Sequence, residues 1–96
     1  MMNCKRIEFK KPAEKFLKSR SRKEQVRILT KIYKLPSGEH NRKMEGYDNR
    51  YRLRVGDFRV IYELHKEVSQ ETGKNDSKLI LVILVVDIGS RGDIYK

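Results

Sequence analysis

The sequence contains little that a secreted or membrane-spanning protein requires. Cys4 is the only cysteine among the 96 residues, so no intrachain disulfide and no cysteine-based metal cage can form. The longest apolar run covers residues 79–86, which is too short to cross a bilayer. Residues 1–10 alternate charged and apolar side chains and lack the apolar stretch of a signal peptide. These absences exclude a disulfide scaffold and favour a cytoplasmic location.

Acidic residues are also scarce relative to basic ones. The chain has 23 Lys and Arg against 13 Asp and Glu, which gives a net charge of +10. Residues 1–46 hold 14 of the basic residues and only 5 of the acidic ones, so the charge is uneven. Such a field attracts polyanions, and nucleic acid or a ribonucleoprotein is the first candidate partner. Solubility alone is the alternative explanation.

The first part of the chain predicts one strand and two helices. Residues 6–9 alternate and predict a short strand. Pro12 suits a first helical turn, and the apolar spacing after it predicts a helix that ends near residues 18–19. Ser21 and Glu24 have capping-box spacing and begin a second helix, which ends at residues 35–38. Its apolar stripe comprises Val26, Ile28, Leu29, Ile32, Tyr33 and Leu35.

Residues 50–62 alternate with period two on both sides of Gly56-Asp57, which predicts a β-hairpin. A glycine at the first loop position suits a type II′ turn, so Val55 should face Phe58 across the two strands. That register places Arg54 opposite Arg59, and Arg52 opposite Ile61. One face of the hairpin is then apolar, with Tyr51, Leu53, Val55, Phe58, Val60 and Tyr62. The other face presents arginines, two of them directly opposed, which destabilises a sheet unless an anion binds there.

The remaining segments complete a small α+β fold. Residues 39–49 predict a polar connection, and residues 69–77 a flexible loop. The apolar run 79–86 predicts a strand buried on both faces and therefore central in the sheet. The tail from Asp87 leaves the sheet. At this length we expect a single domain over residues 1–96. Its order is strand-helix-helix-strand-strand-strand, with both helices on one face of a four-stranded, mainly antiparallel sheet.

The segment 50–62 resembles the hairpin of the RelE/ParE toxin superfamily, and the RelE-like branch most closely. The similarity continues through residues 81–86 and the ending Gly89-Ser90-Arg91-Gly92-Asp93-Ile94-Tyr95, and Met44-Glu45-Gly46 is similar to the element that precedes the family's hairpin. The resemblance implies the toxin of a type II toxin–antitoxin pair. Such toxins are metal-independent, cofactor-free endoribonucleases that enter the ribosomal A site and cleave mRNA there, which inhibits translation. It also implies a RelB-like antitoxin as partner, with a monomeric free toxin and a toxin–antitoxin hetero-oligomer.

The resemblance also assigns roles to individual residues. Arg59 and Arg91 match positions that bind the phosphate and the transition state, and Tyr95 matches a tyrosine that positions the substrate. Arg52 and Arg54 stand where well-studied members carry lysines, one of which transfers a proton. Arginine stays protonated in proteins and is a poor general base, so the general base is unassigned. The predicted contacts to ribosomal RNA are Lys10, Lys11, Lys15, Lys18, Arg20, Arg22 and Lys23.

Other interpretations of the same residues stay open. A ParE-like inhibitor of DNA gyrase and a non-catalytic family member that binds antitoxin or nucleic acid would carry a similar hairpin. The arginines of the hairpin and the seven basic residues are also compatible with an ordinary solvated surface. Asp57 is expected to make the turn, Tyr51 and Tyr62 to pack in the core, and His40 and His65 to lie in a loop or at a strand end.

Overall fold

A computed structural model describes residues 3–36, 41–70 and 77–90. The elements in chain order are β1 (Asn3–Phe9), α1 (Lys11–Lys18), α2 (Arg22–Tyr33), β2 (Asn41–Lys43), β3 (Arg50–Val55), β4 (Phe58–Gln70) and β5 (Ser77–Ser90). Within these residues no helix has both the length and the apolar character that a membrane crossing needs.

Both predicted helices are present, with the predicted signals at their starts. Pro12 lies in the first turn of α1, where its missing N–H removes no helical hydrogen bond. The capping box of α2 is formed: the Glu24 N–H donates to Ser21 Oγ at 3.2 Å, and the Ser21 N–H donates to Glu24 Oε1 at 3.2 Å. At the end of α2 the Lys5 Nζ of β1 donates to the carbonyl oxygen of Leu35 at 3.0 Å. This bond connects the second helix to the edge of the sheet.

Within the described residues the sheet has five strands in the order β1-β5-β4-β3-β2, one more than predicted. Strands β1 and β5 are parallel, and the other neighbouring pairs are antiparallel. The prediction of a polar connection over 39–49 was wrong for residues 41–43, which form β2. This segment is Asn-Arg-Lys and has no apolar alternation. It is a strand because its backbone pairs with β3, and no local sequence pattern predicts that pairing.

Strand boundaries also differ from the prediction. Strand β1 begins at Asn3 rather than Arg6, and β5 continues to Ser90 instead of leaving the sheet at Asp87. Strand β4 ends at Gln70 and β5 begins at Ser77, so both strands include residues of the segment 69–77 that was predicted as a loop. Residues 71–76 of that segment lie outside the described residues. Long paired strands continue in this way because backbone hydrogen bonds do not require apolar side chains.

One β-bulge interrupts the pairing of β4 and β5. Asp87 pairs with Ile61, while Val85 pairs with the next residue of β4, so Val86 is the extra residue. Without the bulge, alternation along β5 would place Asp87 on the same face as Val85. With it, Asp87 lies on the opposite face and Ile88 takes the core position, where it is 2% exposed. A single inserted residue therefore decides which face of the sheet carries the carboxylate.

The helices and one face of the sheet enclose the core. This confirms the predicted layering, and the hairpin residues predicted to face inward pack there. In α2, Ile28 and Ile32 are buried, but Val26 and Tyr33 are each 57% exposed, so the predicted stripe was too wide. Burial varies along β5: Val82, Ile83, Val85 and Ile88 are buried, whereas residues 79–81, 84 and 86 are half-buried. The prediction that 79–86 is buried on both faces was therefore wrong for part of the run. The buried cluster comprises Ala13, Ile28, Ile32, Leu35, Leu53, Val55, Phe58, Val60, Tyr62, Ile83, Val85 and Ile88.

Candidate nucleic-acid interface

The hairpin of β3 and β4 has the predicted register. Val55 pairs with Phe58, and Arg54 pairs with Arg59. Gly56 has φ +56°, the left-handed conformation that a glycine-first two-residue loop requires. The directly opposed Cα atoms of such pairs lie about 4.5–5.5 Å apart, so the two arginine side chains leave the sheet side by side.

Strand β2 adds a second pair of opposed arginines. Arg42 pairs with Arg52 across β2 and β3, so both side chains share the face that carries Arg54 and Arg59. We call these four residues the arginine face; it lies on the side of the sheet opposite the helices. Sequence reasoning missed Arg42 because β2 has no strand pattern. Two neighbouring pairs of like charges, directly opposed, are an arrangement that a bound anion stabilises.

Burial differs among the four arginines. Arg52 and Arg59 are half-buried, and the Nε atom of Arg59 is inaccessible to solvent, whereas Arg42 and Arg54 are exposed. Partial burial restricts the side-chain rotamers and weakens solvent screening of the charge. The inner two guanidiniums are therefore the better fixed, and the outer two extend the positive surface toward solvent.

A carboxylate borders the arginine face. Asp87 is half-buried and lies opposite Ile61, which makes it the diagonal neighbour of Arg59 across β4 and β5. Its Oδ1 accepts a hydrogen bond from the Ile88 N–H at 2.9 Å, which fixes the carboxyl group. The sequence analysis placed Asp87 in a tail outside the sheet, and no sequence pattern revealed the bulge that brings it here.

A separate ionic cluster lies farther along β4. Arg50 Nη2 is 2.5 Å from Glu63 Oε2, and His65 Nε2 is 3.0 Å from Glu63 Oε1. The hydrogen bonds from Arg50 and then from His65 lower the pKa of Glu63. The guanidinium of Arg50 also lies 4.5 Å from the centre of the Tyr47 ring. Arg50 thus has its own counterion and is not part of the arginine face.

His65 is not placed to act at the arginine face. His65 lies within β4 rather than at its end, six residues from Arg59, which is roughly 20 Å at about 3.3 Å per residue. His40 lies outside the described residues. No group of three or more His, Cys, Asp or Glu side chains in the described part of the chain is arranged to hold a metal ion.

The structure separates the two sets of predicted site residues. The seven basic residues predicted to contact RNA lie on α1, on the start of α2 and in the turns beside them, which is the helical side of the sheet. Six of these side chains are exposed, and Arg20 is half-buried with its guanidinium 4.8 Å from the centre of the Phe16 ring. Lys18 pairs with Glu14 at 2.8 Å. They therefore form a second basic surface and do not extend the arginine face.

Two predicted site residues, Arg91 and Tyr95, lie outside the described residues. The last described residue is Ser90, which pairs with Phe58, and Gly89 pairs with Arg59. The roles that the resemblance assigns to Arg91 and Tyr95 therefore stay predictions.

Comparisons with known proteins address the fold. No protein-family model matches the chain, and no curated protein sequence matches it either. A chain in the crystal structure of the RelB–RelE antitoxin–toxin complex from Methanococcus jannaschii is similar in structure, with a TM-score of 0.62 and 24% sequence identity. The match covers 92% of this chain and 94% of that one. At this identity the similarity establishes the fold and not the activity. The protein therefore has a RelE-like α+β fold, with two helices on one face of a five-stranded mixed sheet.

Proposed function

We propose that this protein is the toxin of a type II toxin–antitoxin pair and cleaves mRNA in the ribosomal A site. The observation that carries the proposal is the arginine face, with its two directly opposed pairs of guanidiniums on a rigid sheet. The RelE-like fold supports it, because the similar chain belongs to an antitoxin–toxin complex. By the same similarity, a RelB-like antitoxin is the proposed partner, and the ribosome with its mRNA the proposed target.

The proposed reaction is attack by a ribose 2′-hydroxyl on the adjacent phosphodiester. The bond between phosphorus and the 5′-oxygen breaks, and the 5′-oxygen takes a proton from water. A 2′,3′-cyclic phosphate and a 5′-hydroxyl are the products. Negative charge builds on the non-bridging oxygens in the transition state. Arg52 and Arg59 are proposed to hold these oxygens, because half-buried guanidiniums stabilise such charge more strongly than solvated ones. Arg54 would bind the flanking phosphate. Arg91 and Tyr95 are proposed contributors on the basis of the sequence resemblance.

Asp87 is the proposed acceptor of the 2′-hydroxyl proton. It is the carboxylate that the β-bulge places diagonally beside Arg59, and its Oδ2 is not used by the hydrogen bond to Ile88. A carboxylate is a weak base near neutral pH, yet general base catalysis typically contributes about 10²–10⁴-fold. This assignment supplies the group that Arg52 and Arg54 cannot provide, since arginine does not deprotonate in proteins.

The direct test is to incubate the purified protein with programmed ribosomes and map the ends of the mRNA. We expect cuts within the A-site codon by the wild-type protein. Arg59→Ala should lower the cleavage rate about 10²–10³-fold, the usual effect of removing one preorganised donor to a developing anion. The control is Arg6→Ala, which removes an exposed arginine paired with Glu8 and Glu67. It should cleave at the wild-type rate.

The role of Asp87 has its own readout. Asp87→Asn should slow cleavage about 10²–10⁴-fold and change the dependence of the rate on pH, because an amide does not accept the proton. An unchanged pH profile would assign the proton to another group. Intact mRNA on ribosomes together with DNA breaks in cells would refute the nuclease and support gyrase inhibition instead. Antitoxin or nucleic-acid binding with neither kind of cleavage would identify a non-catalytic member of the fold.

A further inference from the structure

A cleft lies between α2 and the tip of the hairpin. It has a volume of about 470 Å³ and is lined by Arg27, Lys31, Arg54, Val55, Gly56 and Asp57. Arg27 and Lys31 are one helical turn apart on α2, and Arg54 reaches the cleft from β3. Neither Arg27 nor Lys31 belongs to the arginine face or to the seven basic residues of the helical side. The cleft is therefore a third basic surface, and it adjoins the arginine face at Arg54.

Gly56 leaves room for the end of the Arg27 side chain at this cleft. A Cβ atom at position 56 would lie 2.8 Å from Arg27 Nη2, closer than such atoms approach, and 3.0 Å from Arg27 Cζ. The guanidinium of Arg27 therefore packs directly on the backbone of the turn. The glycine thus adopts the positive φ of the turn and leaves the space that the Arg27 guanidinium occupies.

In the part of the chain that the structure describes, no acidic side chain forms an ion pair with the cations of this cleft. Within residues 3–36, 41–70 and 77–90, no hydrogen bond or ion pair engages the side chains of Arg27, Lys31 or Arg54. Asp57 is the single acidic residue of the lining, which leaves a net charge of +2. Like charges four residues apart destabilise a helix by about 0.2–0.5 kcal/mol. An arrangement that costs stability and surrounds an open cleft is typical of an anion site.

We propose that this cleft binds one phosphate of the RNA backbone, on the strand that crosses the arginine face. The proposal rests on the proposed function, and it extends the RNA path over the hairpin tip to α2. Arg54 is shared by the two surfaces, so consecutive phosphates of one strand are able to contact both. An open cleft lined by three exposed basic side chains suits a backbone phosphate, which is read by charge rather than by base identity.

The test measures RNA binding without cleavage. A short fluorescent single-stranded RNA with 2′-O-methyl groups throughout cannot be cut, because the attacking hydroxyl is blocked. Its affinity is measured by anisotropy between about 50 and 200 mM salt, where the logarithm of the binding constant falls linearly with that of the salt concentration. For the double variant R27A/K31A we expect weaker binding and a slope that is shallower by about 0.7, the value for one phosphate contact on a single strand.

The matched control is the double variant K43A/K66A, which removes the same charge from exposed lysines on β2 and β4, away from the hairpin tip. It should keep the wild-type slope. Equal losses of slope in both double variants would overturn the proposal, because net charge alone would then explain binding. So would the absence of measurable RNA binding by the wild-type protein. If the slopes differ as expected while ribosomes yield no mRNA cleavage, the phosphate site stands and the proposed nuclease function fails.

Competition with inorganic phosphate shows whether the cleft binds a phosphate of the RNA backbone or free phosphate. For a backbone phosphate site, millimolar phosphate should weaken RNA binding no more than an equal ionic strength of chloride does. If phosphate displaces the RNA from the wild-type protein but not from R27A/K31A, the cleft prefers a free phosphate, and the proposal is overturned.

Discussion

Reversing one charge at the hairpin tip should make the protein more stable and inactive at once. Arg54 is exposed and directly opposes the half-buried Arg59. Directly opposed like charges destabilise a sheet, and opposite charges stabilise it, each by about 0.2–1 kcal/mol. Arg54→Glu replaces a pair of like charges by a pair of opposite charges, so the free energy of unfolding should rise by about 1 kcal/mol. For a chain of this size that corresponds to a rise of roughly 4–8 °C in Tm.

The assay is thermal unfolding followed by circular dichroism at low and at high salt. The gain should shrink as salt rises, because the Debye length falls from about 10 Å at 0.1 M to about 3 Å at 1 M. Arg54→Gln is the control, because it removes the repulsion from Arg59 without adding an attraction. Its Tm should lie between those of the wild-type protein and Arg54→Glu.

The result that refutes this reasoning is a Tm of Arg54→Glu at or below that of Arg54→Gln in low salt. It would mean that the two side chains do not face each other. A stabilised Arg54→Glu that also loses mRNA cleavage would show that the arginine pair serves binding at a cost in stability, as functional sites often do.

Two further predictions concern the core and the ionic cluster on β4. Ile83→Ala should lower the free energy of unfolding by about 2–5 kcal/mol in denaturant titrations, because the side chain is fully buried. Leu81→Ala should cost clearly less, since Leu81 is half-buried; equal losses would contradict the placement of β5. The hydrogen bonds from Arg50 and His65 lower the pKa of Glu63 in the folded state. Its ionised form therefore stabilises the fold above the ordinary glutamate pKa of about 4.3, and this contribution is lost as pH falls through the lower folded value. The Tm difference between wild type and Glu63→Gln should shrink as the solution is acidified, and a constant difference would show that the cluster contributes nothing.

Local patterns were enough to predict the hairpin and the helices. The Gly56-Asp57 turn sets the register by itself, because a two-residue loop leaves only one way to pair the flanking alternation. Ser21 and Glu24 likewise determine the start of α2 through hydrogen bonds between residues three apart. The opposed pair Arg54 and Arg59 follows from the same register, so the centre of the candidate site was accessible from sequence.

The tertiary structure decided what depends on pairing between distant segments. Strand β2 exists through its backbone bonds to β3, and with it Arg42 joins Arg52 on the arginine face. The cleft at the hairpin tip required α2 to pack beside Gly56, which no spacing in the sequence encodes.

The position of Asp87 shows most clearly what the sequence pattern determines and what only the tertiary structure determines. Alternation along β5 predicts the wrong face for it, since the side-chain period of two is reset by one bulged residue, Val86. By itself, then, the sequence determined the arginines that oppose each other across the turn, because turn chemistry and alternation are local. Only the folded sheet decided that Asp87, strand β2 and Arg27 lie beside these arginines, because long-range backbone pairing overrides local pattern.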